Sequence, residues 1–77
     1  MPENIFGTRI REFRLKAGMT QAQLGEAVGM SKQGINDIEH GRRDTSVIRA
    51  IAIARLFNTT VEYLCGATEN PSRPENL

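Results

Sequence analysis

The stretch Thr20-Gln21-Ala22-Gln23-Leu24-Gly25-Glu26-Ala27-Val28-Gly29-Met30-Ser31-Lys32-Gln33-Gly34-Ile35-Asn36-Asp37-Ile38-Glu39-His40-Gly41 decides how the rest of the chain is read. Thr20 and Gln23 form a capping-box pattern: the hydroxyl takes the N–H of Gln23, whose side chain reaches back to the N–H of Thr20. A short helix carrying Leu24, Ala27 and Val28 follows and stops at Gly29. Ser31 caps the next helix, in which Ile35 and Ile38 stand one turn apart, and Gly41 ends it. Only Gly29, Met30 and Ser31 separate the two helices, and so tight a glycine-containing turn sets them at about 90–120°. That elbow needs a residue tolerant of positive φ, supplied by Gly29, and a small residue where the helices approach, supplied by Gly25. Leu24, Val28, Met30, Ile35 and Ile38 are the apolar residues that fill it.

Upstream, Phe6, Ile10, Phe13 and Ala17 recur at intervals of four, three and four, which is one helix face. With Asn4 as N-cap and Gly18 as stop, this predicts a first helix over about 5–17. Downstream, Arg42-Arg43-Asp44 reads as a loop, and Asp44 or Thr45 caps a fourth helix over about 46–57. Its residues Val47, Ile48, Ile51, Ile53, Ala54, Leu56 and Phe57 are broken only by Arg49 and Arg55, a pattern expected of the buried centre of the domain. Thr59 or Thr60 caps a last short helix with Val61, Leu64 and Cys65, closed by Gly66. Residues 67–77 hold two prolines and little apolar surface, so the expected division is a domain over 1–66 and a flexible tail over 67–77. No stretch alternates with period two. The expected fold class is all-α, with five short helices.

Composition narrows the function by exclusion. Seventy-seven residues allow one small domain, which buries only about 60% of the surface exposed when unfolded. Ten Lys and Arg against nine Asp and Glu give a net charge of +1, so the overall balance does not point to nucleic acid. Arg9, Arg11, Arg14 and Lys16 cluster against Glu12 alone, and Arg42 adjoins Arg43; on charge alone these read as solvated helix faces. A single cysteine, Cys65, and a single histidine, His40, exclude an internal disulfide framework and a structural zinc site. No metal or cofactor is expected. No apolar run approaches the ~20 residues of a membrane span, and Met1-Pro2-Glu3-Asn4 carries no secretory pattern, which predicts a cytoplasmic protein. A Gly-rich phosphate loop, paired acids with a pocket and a nucleophile–base constellation are all missing, so no enzyme is expected.

Thr20-Gln21-x-x-Leu24-Gly25-x-x-Val28-Gly29-Met30-Ser31-x-x-x-Ile35-x-x-Ile38-Glu39-x-Gly41 resembles the helix-turn-helix of the Cro/phage-repressor (XRE-type) family. The resemblance continues through the apolar fourth helix to Val61-Glu62-Tyr63-Leu64-Cys65-Gly66 and covers about residues 6–66. It implies a lambda-repressor-like fold and a transcriptional regulator of double-stranded DNA, acting as a repressor on a palindromic operator. A reading from another class, an antitoxin or adaptor whose main partner is a protein, stays open at this point.

With Ile35 and Ile38 turned inward, the helical period puts Lys32, Gln33, Asn36 and Asp37 on the outer face of the third helix. In a helix-turn-helix that face lies in the major groove. Gln33 and Asn36 carry the amide that pairs bidentately with adenine, Lys32 suits guanine, and Asp37 accepts from cytosine or repels wrong sequences. Gly34 lets the backbone come close. Phosphate contacts are expected from Thr20 and Gln21 at a helix N-terminus, Gln21 by family resemblance, and from Arg42 and Arg43, with Arg11 further off. The resemblance also implies a partly buried ion pair between Arg14 and Glu39, and a symmetric homodimer joined through Thr60, Val61, Tyr63 and Leu64. His40 suits the negative end of its helix, and Cys65 reads as a small apolar residue.

Overall fold

Each of the helices begins at a side chain that takes a free N–H of its first turn. In the computed structural model, which describes residues 4–74, α1 runs Ile5–Lys16, α2 Gln21–Val28, α3 Lys32–Glu39, α4 Val47–Leu56 and α5 Val61–Leu64. Residues 1–3 and 75–77, the outer ends of the expected domain and tail, lie outside the described residues. The N-caps are Asn4, Thr20, Ser31, Ser46 and Thr60. Thr20 and Gln23 complete the capping box, at 3.0 and 2.8 Å. The cap of α4 corrects the sequence reading: Ser46, not Asp44 or Thr45, takes the N–H of Arg49 at 3.2 Å. Among the described residues there is no strand, and the expected all-helical architecture of five short helices holds.

The core is a knot of aliphatic side chains drawn from every helix: Ile10, Leu24, Ile35, Ile38, Ile53, Ala54 and Leu64, each no more than 2% exposed. Phe6, Phe13, Met19, Val28, Met30, Phe57 and Val61 pack around it. Phe13 stacks on Phe57 with centroids 5.4 Å apart and meets Tyr63 edge-on at 6.0 Å. The central helix is α3, which packs against α1 and α2, and not α4. Only Ala50, Ile53 and Ala54 of α4 are buried, while Val47, Ile48, Ile51 and Leu56 are exposed. The expectation that α4 forms the buried centre fails because its excess of apolar residues covers a second face that this chain does not bury.

Two close approaches set the position of α3. At the elbow, Gly29 adopts φ 75° and closes α2, and a Cβ on Gly25 would run into the carbonyl oxygen of Met30. At the other end α1 crosses at Gly7, where a Cβ would collide with the carbonyls of Ile38 and Glu39. Asn4 works on both helices at once. Its Oδ1 accepts from Gly7 N at 3.1 Å, and its Nδ2 donates to the Glu39 carbonyl at 2.8 Å. The orphan carbonyls at the end of α3 are thus partly satisfied by the cap of α1.

Past α5 the described residues stay against the body. Arg9 donates to the carbonyl of Tyr63, to Thr68 O at 3.1 Å and to both Glu69 carboxylate oxygens at 3.0–3.1 Å. Its guanidinium lies 4.0 Å from the centre of the Tyr63 ring. Thr59, fully buried, donates to Pro71 O at 2.7 Å, and Arg73 donates to Thr59 O at 3.4 Å. Residues 68–73 therefore form a strap along α1 and α5, where the composition had suggested a free tail.

Candidate nucleic-acid interface

The outer face of α3 is built from its back. Ile35 and Ile38 are 0% and 2% exposed, and their burial fixes the rotation of the helix. Lys32 and Gln33 then stand fully outward, with Asn36 and Asp37 half-exposed a turn later. The four expected base-reading residues do share one face. Gln33 Nε2 donates to Asp37 Oδ1 at 2.9 Å across one turn.

Behind this face lies the buried pair. Arg14 Nε and Nη2 donate to the two carboxylate oxygens of Glu39 at 2.6 and 3.0 Å, in a bidentate fork. Arg14 Nη1 donates to Met19 O at 2.9 Å, so one guanidinium ties α1 to α3 and to the start of the elbow. The hydrogen bonds to Glu39 hold Arg14 protonated beyond the usual arginine range; burial opposes this and the carboxylate's attraction reinforces it. Gln21 extends the network: its Nε2 donates to Glu39 Oε1 at 3.2 Å and its Oε1 accepts from Asn36 Nδ2 at 3.4 Å. The Gln21 side chain is thus turned inward, and what α2 offers outward at that position is backbone. Thr20 is exposed, with its hydroxyl occupied as cap.

The two loop arginines separate. Gly41, at φ 74°, turns the chain back along α3. Arg43 comes to the N-terminal end of α3, where its Nη1 would lie 3.6 Å from a Cβ on Gly34. Gly34 is buried against Ser31, Met30 and Arg43, so its lack of a side chain serves the packing of the elbow. Arg42 instead bends over the middle of α3, where Nη1 donates to Asn36 Oδ1 at 3.1 Å and lies 3.6 Å from Asp37 Oδ1. Arg49, absent from the expected site, donates to Gly29 O at 2.8 Å and lines one hollow with Gly29, Met30, Ser31, Gly34 and Arg43. Its sequence signal was only a polar break in α4; tertiary packing brings that first turn to the elbow. Arg11 is exposed on α1, with no contact to α3 among those described. His40 Nδ1 lies 2.8 Å from Asn36 O at the end of α3.

The expected dimer residues divide likewise. Leu64 is fully buried and offers no docking surface, while Tyr63, packed between Arg9 and Phe13, is half-exposed. Thr60 and Val61 are half-exposed and adjoin Ile51 in one hollow. No group of three or more metal-ligating side chains occurs among the described residues. No helix among them is long and apolar enough to cross a membrane.

Two short helices joined at a glycine elbow, with a polar outer face on the second and arginines beside it, define a helix-turn-helix DNA-binding domain. The chain belongs to the Cro/phage-repressor type helix-turn-helix family, whose sequence pattern matches residues 10–64. It is 47% identical over 57 residues to an uncharacterized HTH-type transcriptional regulator of Archaeoglobus fulgidus, covering 74% of this chain and 81% of that one. It is 29% identical over 69 residues to the regulator ImmR of Bacillus subtilis, covering 90% of this chain and 54% of ImmR. Among solved structures, the P22 c2 repressor bound to a synthetic operator superposes with a TM-score of 0.75 at 30% identity, covering 78% of this chain and 91% of that one. The restriction-modification controller protein C.AhdI of Aeromonas hydrophila gives 0.71 at 26% identity, covering 79% and 94%. The chain is a DNA-binding transcriptional regulator of a family without enzymatic activity.

Proposed function

We propose that this regulator is a repressor that binds a palindromic operator as a homodimer, with α3 in the major groove. The observation that carries the reading is the row Lys32, Gln33, Asn36 and Asp37, held outward by two buried isoleucines and a bidentate ion pair. In the P22 c2 repressor the same fold is bound to an operator. Lys32, Gln33, Asn36 and Asp37 reach base edges; Arg43, the N-terminal backbone of α2 at Thr20 and Gln21, and Arg11 reach phosphates. Arg49 adds positive charge beside Arg43. A single domain of this size reads few base pairs, so two copies on half-sites about 34 Å apart supply the specificity. The surface for the second copy is Thr60 and Val61 with the exposed Val47, Ile48 and Ile51, apolar area that the monomer leaves in water. This reading places the protein in the cytoplasm, with the nucleoid.

Selection from random duplexes, followed by a salt titration, tests it. The expected result is a palindromic consensus and an affinity that falls steeply and log-linearly with salt. Equal binding to all duplexes, or binding to none, would transfer the role to a protein partner. Ile48→Asp should abolish the dimer on the palindrome in sedimentation while leaving a single half-site occupied; an unchanged dimer would remove α4 from the interface.

A further inference from the structure

Arg42 was expected on the rim with Arg43, and in the structure it lies over the middle of α3. We infer that Arg42 is a specificity-determining residue that reads a guanine, and that Asp37 and Asn36 position it; this rests on the proposed reading of DNA by α3. The geometry has three parts. First, the left-handed Gly41 and the hydrogen bond from Arg42 N to Asp37 O, 2.8 Å, turn the chain so that the side chain lies along the outer face of α3. Second, both acceptors that hold the guanidinium, Asn36 Oδ1 at 3.1 Å and Asp37 Oδ1 at 3.6 Å, engage Nη1. No hydrogen bond among those described uses the Nε–Nη2 edge, and that planar pair of donors matches O6 and N7 of guanine bidentately. Third, the holders are themselves held. Asp37 Oδ1 accepts from Gln33, and Asn36 Nδ2 donates to Gln21, which is bonded to the buried Glu39.

A phosphate clamp has no use for this arrangement. A carboxylate beside a phosphate-binding arginine offsets its charge, whereas a carboxylate behind a base-reading arginine restricts its rotamers at little loss to the neutral base edge. The Arg42 side chain remains 59% exposed, while that of Asp37 is 26% exposed. Asn36, with its amide oxygen on Arg42 and its nitrogen on Gln21, ties Arg42 to the network that ends at the buried Glu39.

The test is duplex selection with the full chain, comparing the unaltered protein with Arg42→Ala, Arg42→Lys and Asp37→Asn. The unaltered protein should select a consensus containing a guanine whose preference Arg42→Ala alone erases, a loss of roughly 10–100-fold at that position. Arg42→Lys should restore part of it, and Asp37→Asn should blunt the same position but add no further loss at that guanine in the Arg42→Ala background. Replacing that guanine by 7-deazaguanine should weaken the unaltered protein and leave Arg42→Ala untouched. An unchanged consensus, with all duplexes weakened alike and a salt slope reduced by about 1, makes Arg42 a phosphate contact and overturns the inference. If the unaltered protein selects no consensus, the reading of DNA sequence by α3 fails first, and this inference with it.

Discussion

Arg14 and Glu39 are 8% and 5% exposed, so each charge depends on the other for its compensation. Arg14→Leu or Glu39→Leu strands the remaining charge in the core, and about 3–5 kcal/mol of stability should be lost in chemical denaturation. The double leucine variant should recover much of that loss, and strict additivity of the two single losses would contradict this account. The pair is not a pH switch on its basic side. Arg14 has a raised pKa, so its stabilisation is fully present below the ordinary arginine value and disappears only as pH climbs through the raised one. Glycines differ from one another at this scale too. Gly25→Ala and Gly7→Ala push a Cβ into backbone carbonyls and should each cost about 1–3 kcal/mol. Gly34→Ala meets only the ends of Ser31, Met30 and Arg43, at 3.2–3.6 Å, and a gain in helix propensity offsets that crowding. Its melting temperature should stay close to that of the unaltered chain.

At the scale of elements, α3 is held at both ends by groups that belong to other helices. Asn4 joins the start of α1 to the last carbonyl of α3, and Asn4→Ala removes a cap and a tertiary hydrogen bond together. A loss of about 1–2 kcal/mol is expected, with amide exchange quickening at the beginning of α1. Exchange that quickens only in α2 would contradict the placement of this contact. The elbow is restrained from the opposite side by Arg49, which bonds Gly29 from α4. A helix of eight residues has little stability of its own, and α3 keeps its orientation because every neighbour grips it.

For the whole molecule, the strap over residues 68–73 changes which charges reach solvent. Arg9, which the sequence groups with Arg11, Arg14 and Lys16, is consumed by Tyr63, Thr68 and Glu69, and Arg14 by Glu39. Truncation after residue 66 leaves the buried Thr59 hydroxyl without Pro71 O, and a fall in stability of about 1–3 kcal/mol is expected. Glu69→Gln in the full chain should change stability by less than about 0.5 kcal/mol, because its carboxylate is 87% exposed. Equal melting temperatures for the truncated and full chains would show the strap to be idle.

The elbow could be read before any coordinates because its demands are local. A capping box, a left-handed glycine, a serine cap and two isoleucines a turn apart all act within a few residues, and the sequence alone determined α2, α3 and the outward row from Lys32 to Asp37. Arg14 with Glu39 was legible only through family resemblance, since nothing local joins positions 25 residues apart. Long-range matters were decided by tertiary structure alone. Hydrophobicity along α4 cannot say which of two apolar faces meets the core, so the chain looked buried where Val47 and Ile48 are exposed. Proximity along the chain made Arg42 and Arg43 look like a pair, but a single positive-φ glycine sends one to Asn36 and leaves the other at the elbow. Periodicity fixes which way a side chain points from its own helix; what waits there depends on the packing of all the others.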